Sequence, residues 1–341
     1  MRKVNKLCEL TDDEVRRVYR TLVRRYDRRP GASIREVGFG VAEKAGELDD
    51  SRCDAVVFYV AHKAMPQAMA DRIPAVEAVR IKRGKSFLSV ELPTDVIALN
   101  ADRLTLTGRP IAHAFAPGRV ATAGAVVIWR VGFAGPFHWC VTTAGHHFWD
   151  RSEVPEQTPQ VIVRCADDQT LTGLLILRSL PREGVDIAIV EVLRSDLIDK
   201  QMIAKSATTK ARRIRTISEI RQDELRRGTT HPESVGIEFR VIRYFYEFKL
   251  HRGLGTLFDV LQVRSSENHA FGQGRSGSLW MVANQAACHQ SVGWSTTDPA
   301  RTYLEGAGQS LHYALRWVQV TLAKRHQTSP AQVQVRLIAA I

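Results

Sequence analysis

The chain contains no apolar run near the ~18–20 residues that a membrane-spanning helix requires, so a helical membrane protein is not expected. Its opening stretch, MRKVNKLCELTDDEV, lacks the apolar core of a secretory signal, which leads to the expectation of a cytoplasmic protein. Cysteine is scarce. Cys8, Cys53, Cys140, Cys165 and Cys288 show none of the close pair spacing of a zinc site. Their odd number also suits free thiols in a reducing compartment better than a secreted disulfide framework. No internal repeat or low-complexity segment is visible. No cofactor or metal is expected, because His138, His146 and His147 have no neighbouring carboxylate or cysteine that completes a ligand spacing.

What is present is an ordinary globular composition, with 44% apolar and 25% charged residues in 341, enough for a sizeable core in more than one unit. The formal net charge is +12. Much of it lies in RRVYRTLVRRYDRR (16–29) and KARRIRT (210–216), neither of which carries a nucleic-acid signature. In the first, Val15, Val18, Tyr19, Leu22, Val23 and Tyr26 recur at helical spacing, so the arginines fill a solvated face. Nucleic acid is therefore not the expected partner, and a membrane is not expected either.

Thr11 followed by Glu14 forms a capping box, and Pro30-Gly31 stops the run, which predicts a helix over 11–29. REVGFGVAE (35–43) and AVVFYVAHK (55–63) read as a hairpin, and SFLSVELP (86–93) and DVIAL (95–99) as two further strands. Residues 1–110 are thus expected to form a small α+β unit. Strands then follow at 125–131, 138–144, 160–166, 171–180 and 185–192. After a polar linker at about 200–230 they resume at 236–250, 257–265, 277–283 and 287–296. Leu311, Ala314, Leu315, Val318 and Leu322 line one face of a C-terminal helix over 310–325, and 326–341 reads as a tail.

GQGRSGSLWM (272–281) has two readings: a tight turn, for which glycine and serine are suited, or the seat of a nucleophile. A serine acting in acyl transfer needs a histidine and a carboxylate. WCVTTAGHHFWD (139–150) runs a strand into a turn carrying His146 and His147, and EGVDIAIVEV (183–192) sets Asp186 ahead of an apolar strand.

These residues carry a resemblance. VTTAGH (141–146) resembles the Val-x-Thr-Ala-Ala-His stretch of trypsin-like, chymotrypsin-fold serine peptidases, DIAIVEV (186–192) is similar to their Asp-Ile-Ala-Leu strand, and GRSGSLW (274–280) to their Gly-Asp-Ser-Gly turn. The stretch VGFGVAEK to LPTDVIAL resembles the N-terminal α+β segment of signal-less bacterial members. The resemblance covers most of residues 35–300 and implies a mainly β fold, with two antiparallel chymotrypsin-like barrels within 111–325, the small N-terminal α+β unit and the C-terminal helix.

The resemblance further implies His146 as general base, Asp186 as its orienting partner and Ser276 as nucleophile, with the amides of Gly274 and Ser276 as oxyanion hole. Ala270, Phe271, Gln273, Trp294 and Ser295 would line the substrate pocket. None is acidic, so a preference for small or apolar side chains is expected over arginine or lysine. The implied activity is that of a serine endopeptidase acting on protein or peptide through an acyl-enzyme. Arg275 replaces the aspartate that pairs with a new N-terminus in zymogen-activated members, and it is expected to find a carboxylate or carbonyl partner of its own. Two other readings compete: an inactive trypsin-like fold serving as a protein-interaction scaffold, and a nucleic-acid binder using the basic segments. A homo-oligomer is compatible with the sequence and nothing in it specifies one.

Overall fold

A computed structural model describes residues 2–27, 34–44, 47–60, 73–98, 121–148, 160–165, 169–179, 181–201, 227–230, 237–250, 255–267, 270–271, 275–282, 285–294 and 304–340. Among these the chain is mainly β. It begins with strand β1 (Arg2–Val4) and helix α1 (Asp12–Asp27). Thr11 and Glu14 form the predicted box, with Thr11 N–H donating to Glu14 Oε2 at 2.9 Å and Glu14 N–H to Thr11 Oγ1 at 3.4 Å. Val15, Val18, Tyr19, Leu22 and Tyr26 are buried as their spacing requires. Strands β2 (Ile34–Gly40), β3 (Ala42–Lys44), β4 (Glu47–Asp49), β5 (Ala55–Val60), β6 (Val76–Arg83) and β7 (Ser86–Ala98) follow. β2 and β5 pair antiparallel as expected, but they are not joined by a simple turn: the stretch 35–43 is split between β2 and β3, and β3 pairs with β4 within the connection.

The two strands expected at 86–99 are one. β7 runs through Pro93, and its two halves meet different parallel partners, β1 at Leu88–Val90 and β5 at Thr94–Ala98.

A seven-stranded sheet has the order β20-β9-β10-β13-β12-β11-β8, built from β8 (Ala121–Thr122), β9 (Ala125–Val131), β10 (His138–Thr143), β11 (Gln160–Arg164), β12 (Thr170–Arg178), β13 (Ala188–Glu191) and β20 (Val333–Ala340). β20 corrects the expected C-terminal tail. Its apolar residues alternate with polar ones, and Val333, Leu337 and Ala339 are buried as it pairs antiparallel with β9. The sheet is buried on two faces with strand periodicity. Val126, Val141, Val163, Leu171 and Val190 share one apolar cluster, while Ala125, Val127, Cys140 and Ile189 pack beneath helix α3 (Leu311–Arg325), which follows the short α2 (Arg194–Asp199) in the chain. α3 starts at the Ser310 N-cap and buries the five residues read from its periodicity.

The second sheet has eleven strands. It holds β14 (Arg227–Thr230), β15 (Glu238–Lys249), β16 (Thr256–Arg264), β17 (Leu279–Val282), β18 (Gln285–Trp294) and β19 (Glu305–Ser310), continued through β2, β5, β7, β1 and β6. β15 pairs with β14, β2 and β16, so the pairings β15-β14-β17-β18-β19-β16 return to β15. Residues 227–230, expected at the end of the linker, are a strand; 202–226 lie outside the described residues, as does 99–120, where the first unit was expected to end.

The N-terminal α+β residues are therefore continuous with the second strand group rather than a unit with a core of their own. Val15, Leu22, Val56 and Phe58 share one cluster with Phe239, Leu261 and Trp280. A polar cluster strengthens the join. The fully buried Arg243 guanidinium meets Glu43 at 2.6 Å, Arg264 meets Glu43 at 3.0 Å, and Tyr59 donates to Gln262 Oε1 at 3.0 Å. Buried charges of this kind are tolerated only when paired.

Candidate active site

Three chain segments far apart in sequence meet where the two sheets adjoin. β10 ends in a short 3-10 turn, Gly145–Phe148, that carries His146 and His147. Asp186 lies just ahead of β13 and is 1% exposed. One carboxylate oxygen accepts the His146 main-chain N–H at 2.8 Å, and the other faces His146 Nδ1 at 2.8 Å. That contact makes Nδ1 the protonated nitrogen of the neutral ring and leaves Nε2 as an acceptor.

Ser276 lies in the turn that leads into β17. His147 Nε2 donates to its carbonyl at 3.0 Å, and the His147 ring stacks on His146 with centroids 4.8 Å apart. The Ser276 hydroxyl is turned toward the Ser291 carbonyl at 3.5 Å, and no hydrogen bond joins it to His146 among the described residues. Next to it, Gly277 has φ +97°, and its N–H donates to the Gln290 carbonyl at 2.8 Å. A side chain there would strike Thr122 O at 2.4 Å, so the turn that presents Ser276 requires glycine.

The electrostatics follow from burial and pairing. Burial alone would lower the pKa of His146, but the charge and hydrogen bond of Asp186 outweigh it and hold the value above the ordinary one. Asp186 is disfavoured as an anion by burial, yet His146 and the main-chain N–H hold its carboxyl below the usual range. His147 is pushed down to about 4 by burial and by His146. It is neutral at pH 7, with its proton committed to Ser276 O.

His146, Asp186 and the Ser276 turn are thus brought together. The residues expected around them fare differently. Ala270 and Phe271 are fully buried, and the Phe271 ring packs against Phe239 and Trp280 at 6.2 and 5.5 Å, so both serve the core rather than an open pocket wall. Gln273, Gly274 and Ser295 lie outside the described residues, as does the side chain of Trp294. The Arg275 carbonyl accepts the Ser278 N–H at 3.0 Å, while its guanidinium makes no hydrogen bond or ion pair among the described residues, so the carboxylate or carbonyl partner expected for it is not found there. Burial lowers its pKa, partly offset by the charge of Glu267. His138 is engaged elsewhere, stacked on Trp129 at 4.1 Å with Nδ1 on Glu191 at 2.7 Å. Among the described residues no group of three His, Cys, Asp or Glu side chains could hold a metal ion.

Sequence reasoning missed His289, whose Nε2 donates to the Asp186 carbonyl at 2.6 Å, and Gln309, whose Oε1 accepts the Asp186 N–H at 2.9 Å. Both lie in strands, QAACHQSVGW and EGAGQS, that hold several other polar residues, so no local signal singled them out. All five cysteines are free, and Cys140, Cys165 and Cys288 are buried. No described helix is long and apolar enough to cross a membrane. The chain matches no protein-family model, and a comparison with curated proteins finds no match.

Proposed function

We propose that the chain is a serine endopeptidase of trypsin-like type, hydrolysing protein or peptide through Ser276, His146 and Asp186. The observation that carries this reading is the His146–Asp186 pair, with Nδ1 and the main-chain N–H both on one buried carboxylate, beside a Ser276 turn bound to the same histidine turn through His147. A lone serine turn needs none of these partners.

In this reading His146 Nε2 takes the Ser276 proton as Oγ attacks the scissile carbonyl, and the tetrahedral oxyanion is held by the Gly274 and Ser276 amides. Collapse breaks the C–N bond. His146 returns its proton to the departing amine, and a water molecule, deprotonated by the same Nε2, hydrolyses the acyl-enzyme. Asp186 stays ionised and stabilises the imidazolium. The same reading requires Oγ to turn from the Ser291 carbonyl toward Nε2, giving up a contact at the limit of hydrogen bonding that costs little to break.

A fold with two barrels of the chymotrypsin type belongs to the same proposal. It is supported by the returning pairings of β14 to β19 and by the single apolar cluster shared along the seven-stranded sheet. Free thiols are in keeping with the reducing cytoplasm. The scaffold reading is favoured by one observation, the absence of a Ser276–His146 hydrogen bond.

Hydrolysis of a mixed peptide library separates the two. The wild-type chain should cleave it, and Ser276→Ala should not while keeping its melting temperature. Cleavage that survives Ser276→Ala would refute the assignment.

A further inference from the structure

His289 and Gln309 are directly opposite one another on β18 and β19. Both are buried, and both reach across to the main chain of Asp186. Gln309 takes its N–H while its own Nε2 donates to the Gly184 and Phe258 carbonyls, each at 2.8 Å. His289 holds the Asp186 carbonyl. The residues that grip Asp186 therefore come from the eleven-stranded sheet, whereas Asp186 precedes a strand of the seven-stranded one. His147 makes the converse connection. It follows a strand of the seven-stranded sheet and grips the carbonyl of Ser276, which leads into β17 of the other.

We propose that His289, with Gln309, and His147 are reciprocal positioning residues. Each histidine holds the main chain of a reacting residue supplied by the opposite sheet and so sets the distance between Ser276 and the His146–Asp186 pair. This rests on the reading of those three residues as a catalytic triad. A buried carbonyl needs a donor, but water or a neighbouring strand supplies one with no fixed direction toward the other sheet. An imidazole on a strand or turn has two side-chain torsions and one aimed N–H. His289 also leaves its buried Nδ1 without a partner among the described residues. That is unfavourable in itself, and an apolar residue would avoid it, so what the position gains is the bond made by Nε2.

Both histidines are neutral at pH 7, since burial lowers the pKa of each, and each commits its single N–H to a carbonyl. The titratable groups that face them are His146 and Asp186, which are the groups their displacement would disturb.

The test uses the full chain with His147→Met, His147→Gln, His289→Met and His289→Gln. Methionine keeps bulk and removes the donor; glutamine restores an N–H at similar reach. Two quantities are read, the second-order rate of labelling by a fluorophosphonate and the pKa of His146 from its NMR titration. Each methionine variant should label slower by about tenfold or more, and each glutamine variant should recover to within about threefold of wild type. His289→Met should also lower the His146 pKa, because a displaced Asp186 no longer offsets the burial of the ring.

Folded methionine variants with wild-type labelling and an unchanged His146 titration would overturn the proposal. So would glutamine variants as impaired as the methionine ones, since the hydrogen bond would then not be the agent. If His289→Met fails to fold, the His147 pair and His289→Gln decide by the same criteria. If the wild-type chain does not label at all, the peptidase reading fails, and the His146 titration alone decides the positioning role.

Discussion

Replacing Gly277 with alanine separates two costs that the serine turn imposes. The first is conformational. At φ +97° an L-residue carries roughly 1–2 kcal/mol of left-handed strain. The second is steric, since the new Cβ would fall 2.4 Å from Thr122 O, 2.8 Å from Thr143 Oγ1 and 3.0 Å from Ala144 N, two of them main-chain atoms. Overpacking of that order adds about 1–3 kcal/mol. The sum, about 3 kcal/mol, is a large share of the ~5–15 kcal/mol stability of a typical protein, and corresponds to a melting temperature lower by about 4 °C at this size.

Gly84 supplies the control. It has φ +59° with nothing within 4 Å of the Cβ that alanine would add, so Gly84→Ala carries the conformational cost alone. It should lose about 1–3 °C by the same conversion and leave the site untouched. Differential scanning calorimetry and fluorophosphonate labelling of both variants give the comparison. Gly277→Ala should melt lower than Gly84→Ala and label poorly, because relief of the overlap moves the Ser276 turn. Equal melting temperatures with undiminished labelling would refute the reasoning.

Two further outcomes are expected. Burial raises the Glu36 carboxyl to about 7, against the main-chain N–H of Lys249 that it accepts. The folded chain therefore binds a proton that the unfolded chain releases. Stability is full below about pH 4.5 and falls by up to about 1.4 kcal/mol per pH unit until about pH 7. Glu36→Gln, followed by urea unfolding across that range, should remove this part of the slope and stabilise the chain at pH 8; an unchanged slope would contradict it. Deleting residues 1–98 should yield an insoluble or unfolded product by circular dichroism, because Glu43, Tyr59 and Phe58 hold one core with the second strand group. A soluble, more reactive truncated chain would show those residues to be a removable pro-segment.

Helix α1 was legible because a cap and a 3.6-residue period coincide in it, and α3 was legible from its period alone. β9 to β13 and β15 to β18 were legible as β-branched runs between turn residues. β19 was not, because EGAGQS reads as a turn. It is a strand whose Gly306 and Gly308 lie where the Phe271 and Trp280 rings leave no room for a Cβ. β20 was hidden by the polar residues around it and became a strand only through β9, a partner some two hundred positions earlier.

At the site, the resemblance of three short motifs singled out His146, Asp186 and Ser276, and the structure brings the His146–Asp186 pair beside the Ser276 turn. Nothing local marked His147, His289 or Gln309. Their partners are peptide groups, which every residue possesses and no motif records. Ala270 and Phe271 were placed by analogy of position along the chain, and that does not say which way a side chain faces.

The central claim is an activated Ser276. The direct measurement is reaction of the full-length chain with a fluorophosphonate probe, followed by mass-spectrometric location of the adduct. A single adduct on Ser276, lost in Ser276→Ala and in His146→Ala, is the predicted result. No adduct on the folded chain, or loss of reactivity in His147→Ala with His146→Ala still reactive, would contradict it.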